Sequence, residues 1–295
     1  MLSSTASTWS IARLSLSVRD YLQLVKLRLS AMVVVSGVVG YWLASAEIAL
    51  GSLLAFTFGT FLVVAGANAF NQVLERGPDA RMDRTRNRPV PTGRIPVGEA
   101  TAAAGAMSVV GVVALLLTGG WLTALLALLA LGTYVLLYTP MKPRTAWATV
   151  PGAVAGAMPT LMGFSAASGE LGTLAFCLFG ILFMWQFPHT WAIAAVYRDD
   201  YERVGYRALP KGSAARLLTV SATLALVTLS LVPPALDLLG RVYLVGALAL
   251  GALFLSAAFR FGDGTERRLA GSLLAVSLFY LPVMLALAAF NQTFY

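Results

Sequence analysis

Apolar residues run along this 295-residue chain in long blocks, not in the alternating or three-to-four spacing of a water-facing domain. Nine blocks can be marked: Leu29–Ala46, Leu50–Phe70, Ala100–Leu117, Trp121–Tyr138, Ala148–Ala167, Leu171–Tyr197, Leu217–Leu236, Val242–Phe259 and Leu269–Ala289. Each is close to the ~20 residues that carry a helix across the hydrocarbon core of a bilayer. A backbone in lipid must satisfy its own N–H and C=O groups, so uninterrupted runs of this length are predicted to be helices. The expected fold class is all-α: a polytopic membrane protein with nine transmembrane helices. Residues 1–28 read as a cytoplasmic tail and residues 29–295 as a single nine-helix domain. Met1 to Tyr21 is Ser-rich and has no apolar core of signal-peptide type.

Composition agrees. The chain is 58% hydrophobic and 12% charged, whereas a soluble domain carries about 25% charged residues. The mean hydropathy is +0.78, which excludes an ordinary water-soluble surface. A net charge of +8 would suggest nucleic acid in a soluble protein. Here the basic residues sit in short loops between spans, so the expected contact is the lipid bilayer and no nucleic acid. The single cysteine, Cys177, allows neither an intrachain disulfide nor a thiolate metal site.

Charge then fixes direction. Arg13, Arg19, Lys26 and Arg28 precede the first span, and Arg76 through Arg94 follow the second. Lys142 and Arg144 follow the fourth, Arg198 through Arg216 the sixth, and Arg260, Arg267 and Arg268 the eighth. With nine spans, 20 of the 21 Lys and Arg residues fall on one face, and only Arg241 on the other. Eight or ten spans would scatter them. The positive-inside rule makes that face cytoplasmic and puts the amino end on it. The expected location is a bacterial inner membrane, or the mitochondrial inner membrane in a eukaryote. The long charged loops follow spans two and six, four spans apart, which suggests two four-helix units and a ninth helix.

Candidate chemistry lies in those loops. After span two, oxygen-bearing side chains recur at Asn71, Glu75, Asp79 and Asp83. A spacing of four puts Asn71 and Glu75 on one helical face. Gly77-Pro78 is expected to end or kink the helix near Arg76, so that Asp79 reaches the site from a turn. Oxygen ligands at a membrane surface suit Mg²⁺, which takes its other ligands from water and phosphate. Arg84 and Arg88 suit bidentate phosphate contact. A charged loop that only orients the chain is the simpler alternative. Acids abutting an apolar span, where unpaired charge is costly, argue for function.

Span six ends in Trp185-Gln186-Phe187-Pro188-His189, followed by Arg198-Asp199-Asp200-Tyr201-Glu202. Two acid clusters on one face could hold bridging Mg²⁺ and a diphosphate. His189, the only histidine, lies inside an apolar span. A lone buried histidine is more often a hydrogen-bonded core residue than a ligand. Imidazole nevertheless suits heme iron or proton transfer. A third segment runs from Tyr138 through Lys142 and Arg144 to a small-residue stretch ending at Pro159. Those small residues permit close helix packing, and Lys142 and Arg144 are placed to help hold a phosphate.

These stretches, Asn71 through Gly93, Tyr138 through Gly163 and Trp185 through Pro210, together resemble the intramembrane prenyltransferase superfamily. Trp185 through His189 and Arg198 through Tyr201 resemble its heme-prenylating branch most specifically. The similarity covers nearly the whole chain beyond Asp20. It implies nine helices, Mg²⁺, and transfer of the farnesyl group of farnesyl diphosphate to a vinyl group of heme B (protoheme IX), giving heme O. It assigns Asn71, Glu75 and Asp79 to metal and catalysis, with Asp199 or Asp200 completing the ligands. Arg84, Arg88, Lys142, Arg198 and Tyr138 are assigned to substrate, and His189 to placing the heme. It also implies a downstream heme-modifying enzyme as partner. One departure is visible: the superfamily motif usually runs Asn-xxx-Asp-xxx-Asp, and Glu75 occupies its second position. Two other readings stand beside this one. A quinone or chlorophyll precursor could be the aromatic acceptor. A secondary transporter would instead carry ionisable or broken helices at midplane, whereas these acids sit at span ends.

Overall fold

The computed structural model describes residues 18–207 and 212–291. Most of the tail read at residues 1–28, and Pro210 at the end of the third matching stretch, lie outside the described residues. The chain forms α1 (residues 18–24), α2 (Leu27–Ala44), α3 (Leu50–Leu74), α4 (Arg76–Asp79) and α5 (Val97–Gly132). A π-helical turn, Thr133–Tyr138, leads into α6 (Thr139–Met141). Then follow α7 (Thr149–Ser168), α8 (Thr173–Val196), α9 (Arg198–Arg203), α10 (Ser213–Ala235), α11 (Arg241–Phe261) and α12 (Arg267–Phe290). Among the described residues there is no β-strand.

Eight helical segments are long and apolar enough to cross a membrane, and the longest is the 45-residue Val97–Met141. That segment is not one rod. Gly120 (φ 79°, ψ 179°) leaves helical geometry. Ala100 and Ala104 pack with Ala69 and Val73 near the end of α3, yet Thr139 hydrogen-bonds Asn71 at the same end. A straight helix would separate residues 100 and 139 by about 60 Å. The chain therefore runs out from α3, turns at Gly120 and returns, as the Gly119-Gly120 break between two apolar blocks predicts.

Large apolar side chains lie exposed on several of the long helices, among them Leu54, Leu117, Trp121 and Val245. Inside, small residues bring backbones together, since association in lipid depends on packing and not on expelling water. A Cβ on Gly163 of α7 would collide with the Gly37 carbonyl and the Tyr41 nitrogen of α2. Helix α3 packs on α5, α2 on α7, and α8 against α7, α10 and α12. This packing sets the charged end of α3 beside the start of α2 and the end of the π-helical turn.

Candidate active site

Asn71, Glu75 and Asp79 are all buried. Helix α3 loses ideal geometry at Glu75 (φ −90°, ψ 7°) and resumes at once as α4. The Glu75 N–H still donates to Asn71 O at 2.9 Å, and the Asp79 N–H to Glu75 O at 2.8 Å. The expected break near Arg76 is therefore only a deflection. The step-of-four register survives Pro78, and Asp79 continues the row of Asn71 and Glu75 instead of arriving from a turn. Proline costs only the bond its missing N–H would have made.

Each oxygen of this row meets its own cation. Lys26 Nζ donates to Asn71 Oδ1 at 2.7 Å. Lys142 Nζ lies 3.0 and 3.2 Å from the two oxygens of Glu75. Arg88 Nη1 lies 2.7 Å from Asp79 Oδ2. The Asn71 amide donates to Thr139 Oγ1 at 3.2 Å, which orients its carbonyl oxygen toward Lys26. Lys142 follows directly on the π-helical turn and α6, whose offset swings it over the rings of Tyr138 (5.7 Å) and Tyr206 (4.9 Å). Such π-turns recur at functional sites.

Lys26 is a site residue that the sequence reading counted only as topological charge. Nothing in its spacing relates it to Asn71, 45 residues away. The Gln72 amide fixes it indirectly by donating to Gln23 O (2.8 Å) and Leu24 O (2.9 Å) at the junction of α1 and α2. Burial, then the nearby charge of Arg88, lowers the Lys26 ammonium to a pKa of about 7.

The second acid loop does come to the first, but not as a third carboxylate in the row. Asp200 Oδ1 accepts the Asp83 N–H at 2.8 Å and Oδ2 accepts the Arg84 N–H at 3.1 Å. Arg203 adds a contact at 3.4 Å to Asp200 and one at 3.0 Å to Asp83. Burial would push the Asp200 carboxyl up, but those backbone donors and the arginines outweigh it and hold it below its ordinary value. Asp200 thus clasps the two loops together, while Asp199 is exposed. Among the described residues, no three His, Cys, Asp or Glu side chains converge as a cation site. Asn71, Glu75 and Asp79 nonetheless fit Mg²⁺, which is commonly held by one or two carboxylates together with substrate phosphate and water.

The other predicted residues are spread more widely. The exposed Arg84 guanidinium lies 5.1 Å over the Tyr197 ring, at the seam between the loops. Tyr138 packs on Tyr134 at 5.2 Å. Arg198 donates to Gly264 O at 2.6 Å and borders a polar cavity of about 740 Å³ with Arg144 and Arg207. His189 is bound to Ser277 of α12 and makes no hydrogen bond to the acid row. An apolar slot of about 150 Å³ runs between α2, α3, α5 and α7, lined by Val33, Val64, Ala67, Tyr134 and Met162. Asn68, one turn before Asn71, and Gln186 of α8 also border it.

A helical bundle in the membrane, with paired acids and cations at one end of an apolar slot, defines a class of enzyme that handles an anionic head group with a long apolar tail. The sequence profile of the UbiA prenyltransferase family matches residues 33–281, and the chain belongs to that family. It is 42% identical over 291 residues to "Protoheme IX farnesyltransferase" of Solibacter usitatus, covering 93% of this chain and 99% of that one. With the protein of the same name from Anaeromyxobacter dehalogenans it shares 43% over 251 residues, 84% of this chain and 85% of that one. A solved digeranylgeranylglyceryl phosphate synthase superposes with a TM-score of 0.78 at 19% identity, over 93% of this chain and 98% of its own. A UbiA homologue from Archaeoglobus fulgidus, solved with GPP and Mg²⁺, superposes with a TM-score of 0.62 at 14% identity, over 91% of this chain and 99% of its own. At those identities the likeness is one of fold. The chain is a multi-pass membrane prenyltransferase.

Proposed function

We propose that this enzyme transfers the farnesyl group of farnesyl diphosphate to a vinyl group of heme B, giving heme O and diphosphate. The observation that carries the chemistry is the row of Asn71, Glu75 and Asp79, each matched to a cation, at the end of an apolar slot. The acceptor follows from relatives named protoheme IX farnesyltransferase that align along nearly the whole chain. The reading includes nine crossings, the amino end in the cytoplasm, residues 29–295 as one domain, and an inner-membrane location. A downstream heme-modifying enzyme is its partner.

Asn71, Glu75 and Asp79 would hold Mg²⁺ with the diphosphate, and the bound ion would neutralise charge developing on the leaving group. Lys26, Lys142 and Arg88 then turn from their protein partners to phosphate oxygens, in charge-assisted bonds that strengthen as charge builds. Arg84 reaches the same anion from the seam of the two loops. The slot takes the isoprenoid tail and keeps water from the reacting carbon. The C1–O bond breaks, and its electron pair leaves with the diphosphate. The terminal vinyl carbon attacks C1, a new C–C bond forms, and positive charge moves to the vinyl carbon beside the porphyrin ring. Water adds there and loses one proton, leaving the hydroxyl.

Membranes containing this chain, given heme B, farnesyl diphosphate and Mg²⁺, should form heme O, read by chromatography of extracted hemes. Full incorporation with no heme O overturns the assignment. Glu75→Gln removes a charge that opposes Lys142 and would face the metal, so turnover should fall by about 10²-fold or more. Wild-type turnover in that variant would remove Glu75 from the site.

A further inference from the structure

His189 sits in an arrangement whose protons can be counted. Its Nδ1 lies 2.8 Å from Ser277 Oγ of α12. The Ser277 hydroxyl has one proton, and the Leu274 carbonyl oxygen, which can only accept, lies 2.7 Å from Oγ. Without a proton on that line, two sets of oxygen lone pairs would face each other at this distance. The hydroxyl therefore donates to Leu274 O, and Oγ accepts from Nδ1–H. Among the described residues no carboxylate pairs with His189, and an unpaired imidazolium within an apolar span is costly. The imidazole is therefore neutral, with its one N–H at Nδ1, and Nε2 keeps its lone pair.

The ring is also fixed in plane. Trp185 stacks on His189 at 4.3 Å and 19°, and its Nε1–H donates to Ser277 O at 2.8 Å. Ser277 thus holds the imidazole with its hydroxyl and the stacked indole with its carbonyl. His189 is half-buried, and among the described residues no group hydrogen-bonds Nε2. Gln186, which lines the apolar slot, lies three residues before His189, so the two are neighbours along one face of α8.

We infer that Ser277 is a positioning residue: it fixes His189 as the Nδ1–H tautomer and presents the Nε2 lone pair to the iron of a metalloporphyrin acceptor beside the slot. The inference rests on the heme reading above. Neutral imidazole is a common axial ligand of heme iron, and a metal-bound histidine ordinarily donates its other N–H to an oxygen that sets ring orientation.

The test uses the full-length protein in detergent with ferric heme B, read by optical and electron paramagnetic resonance spectra. Wild type should give a nitrogen-ligated heme spectrum that His189→Ala abolishes. Ser277→Ala should raise the heme Kd about tenfold or more, in line with the loss of an outer-shell partner, and broaden the ligand-field signal. Ser277→Thr keeps the hydroxyl and should restore both. Farnesyl diphosphate affinity, measured in parallel, should be unchanged in all three and reports that each variant is folded. A wild-type spectrum and Kd in Ser277→Ala, or in His189→Ala, overturns the inference even if wild type makes heme O. The changes expected of His189→Ala and Ser277→Ala, together with no heme O from wild type, uphold heme ligation and instead remove the transferase reading.

Discussion

Lys26 has a left-handed backbone (φ 48°, ψ 55°) at the entry to α2, a conformation uncommon for any residue with a Cβ. The Gln72 bonds to Gln23 and Leu24 hold the junction in place, and the result is an ammonium set against Asn71. With its pKa lowered to about 7, Lys26 carries its charge below that pH and loses it above. Affinity for an anionic diphosphate should fall as pH rises through about 7, seen as a drop in kcat/KM for farnesyl diphosphate. Lys26→Arg keeps its charge throughout, so its profile should lack that step. Asp200 works differently, through structure. Removing its carboxylate leaves the Asp83 and Arg84 N–H groups without their acceptor, so Asp200→Ala should cost about 1–3 kcal/mol of stability in thermal unfolding. Its folded pKa lies below the unfolded 3.8. The stabilisation is therefore complete above the unfolded value and disappears as pH falls through the folded one. The gap between wild type and Asp200→Ala should close below a pH of about 4.

Among the elements, the Val97–Met141 segment depends most on one residue. Gly120 at φ 79°, ψ 179° occupies a region essentially confined to glycine. Gly120→Ala should destabilise the protein by about 1–3 kcal/mol, measured by thermal unfolding in detergent. Gly119→Ala is not an equivalent control, because a Cβ there would press on Thr123 and Ala166. Gly132, where a Cβ meets nothing, is the better one, and Gly132→Ala should be near neutral. The same segment ends in the π-helical turn that carries Lys142 to Glu75. Apolar periodicity predicts a helix over Trp121–Tyr138 but is silent about a π-turn, because the apolar residues of that turn, Tyr134 through Tyr138, suit either winding. The deflection at Glu75 is likewise milder than Gly77-Pro78 suggests. Pro78 falls in the first turn of α4, where a missing N–H costs little.

For the whole molecule, the nine crossings proposed above would put the two ends of the chain on opposite faces. Reporter fusions to the amino and carboxyl ends should therefore report the cytoplasm and the outer face respectively. Both ends on one face would exclude nine crossings. In that reading the acid row, its three cations and the Asp200 clasp would lie on the basic face, so diphosphate should enter and leave there and the tail should reach the slot from the bilayer.

Neighbouring residues account for the apolar blocks, the clustering of Lys and Arg between them, and the shared helical face of Asn71 and Glu75. These are local properties: partition into lipid, charge retained at an interface, and the pitch of a helix act on neighbouring residues. The folded arrangement settles which cation faces which oxygen, with Lys26 on Asn71, Lys142 on Glu75 and Arg88 on Asp79, and continues the row to Asp79. It also gave Asp200 to the backbone of the first loop and His189 to Ser277. Most of those pairings join residues tens of positions apart, brought together by where helices cross. No spacing within one segment encodes them.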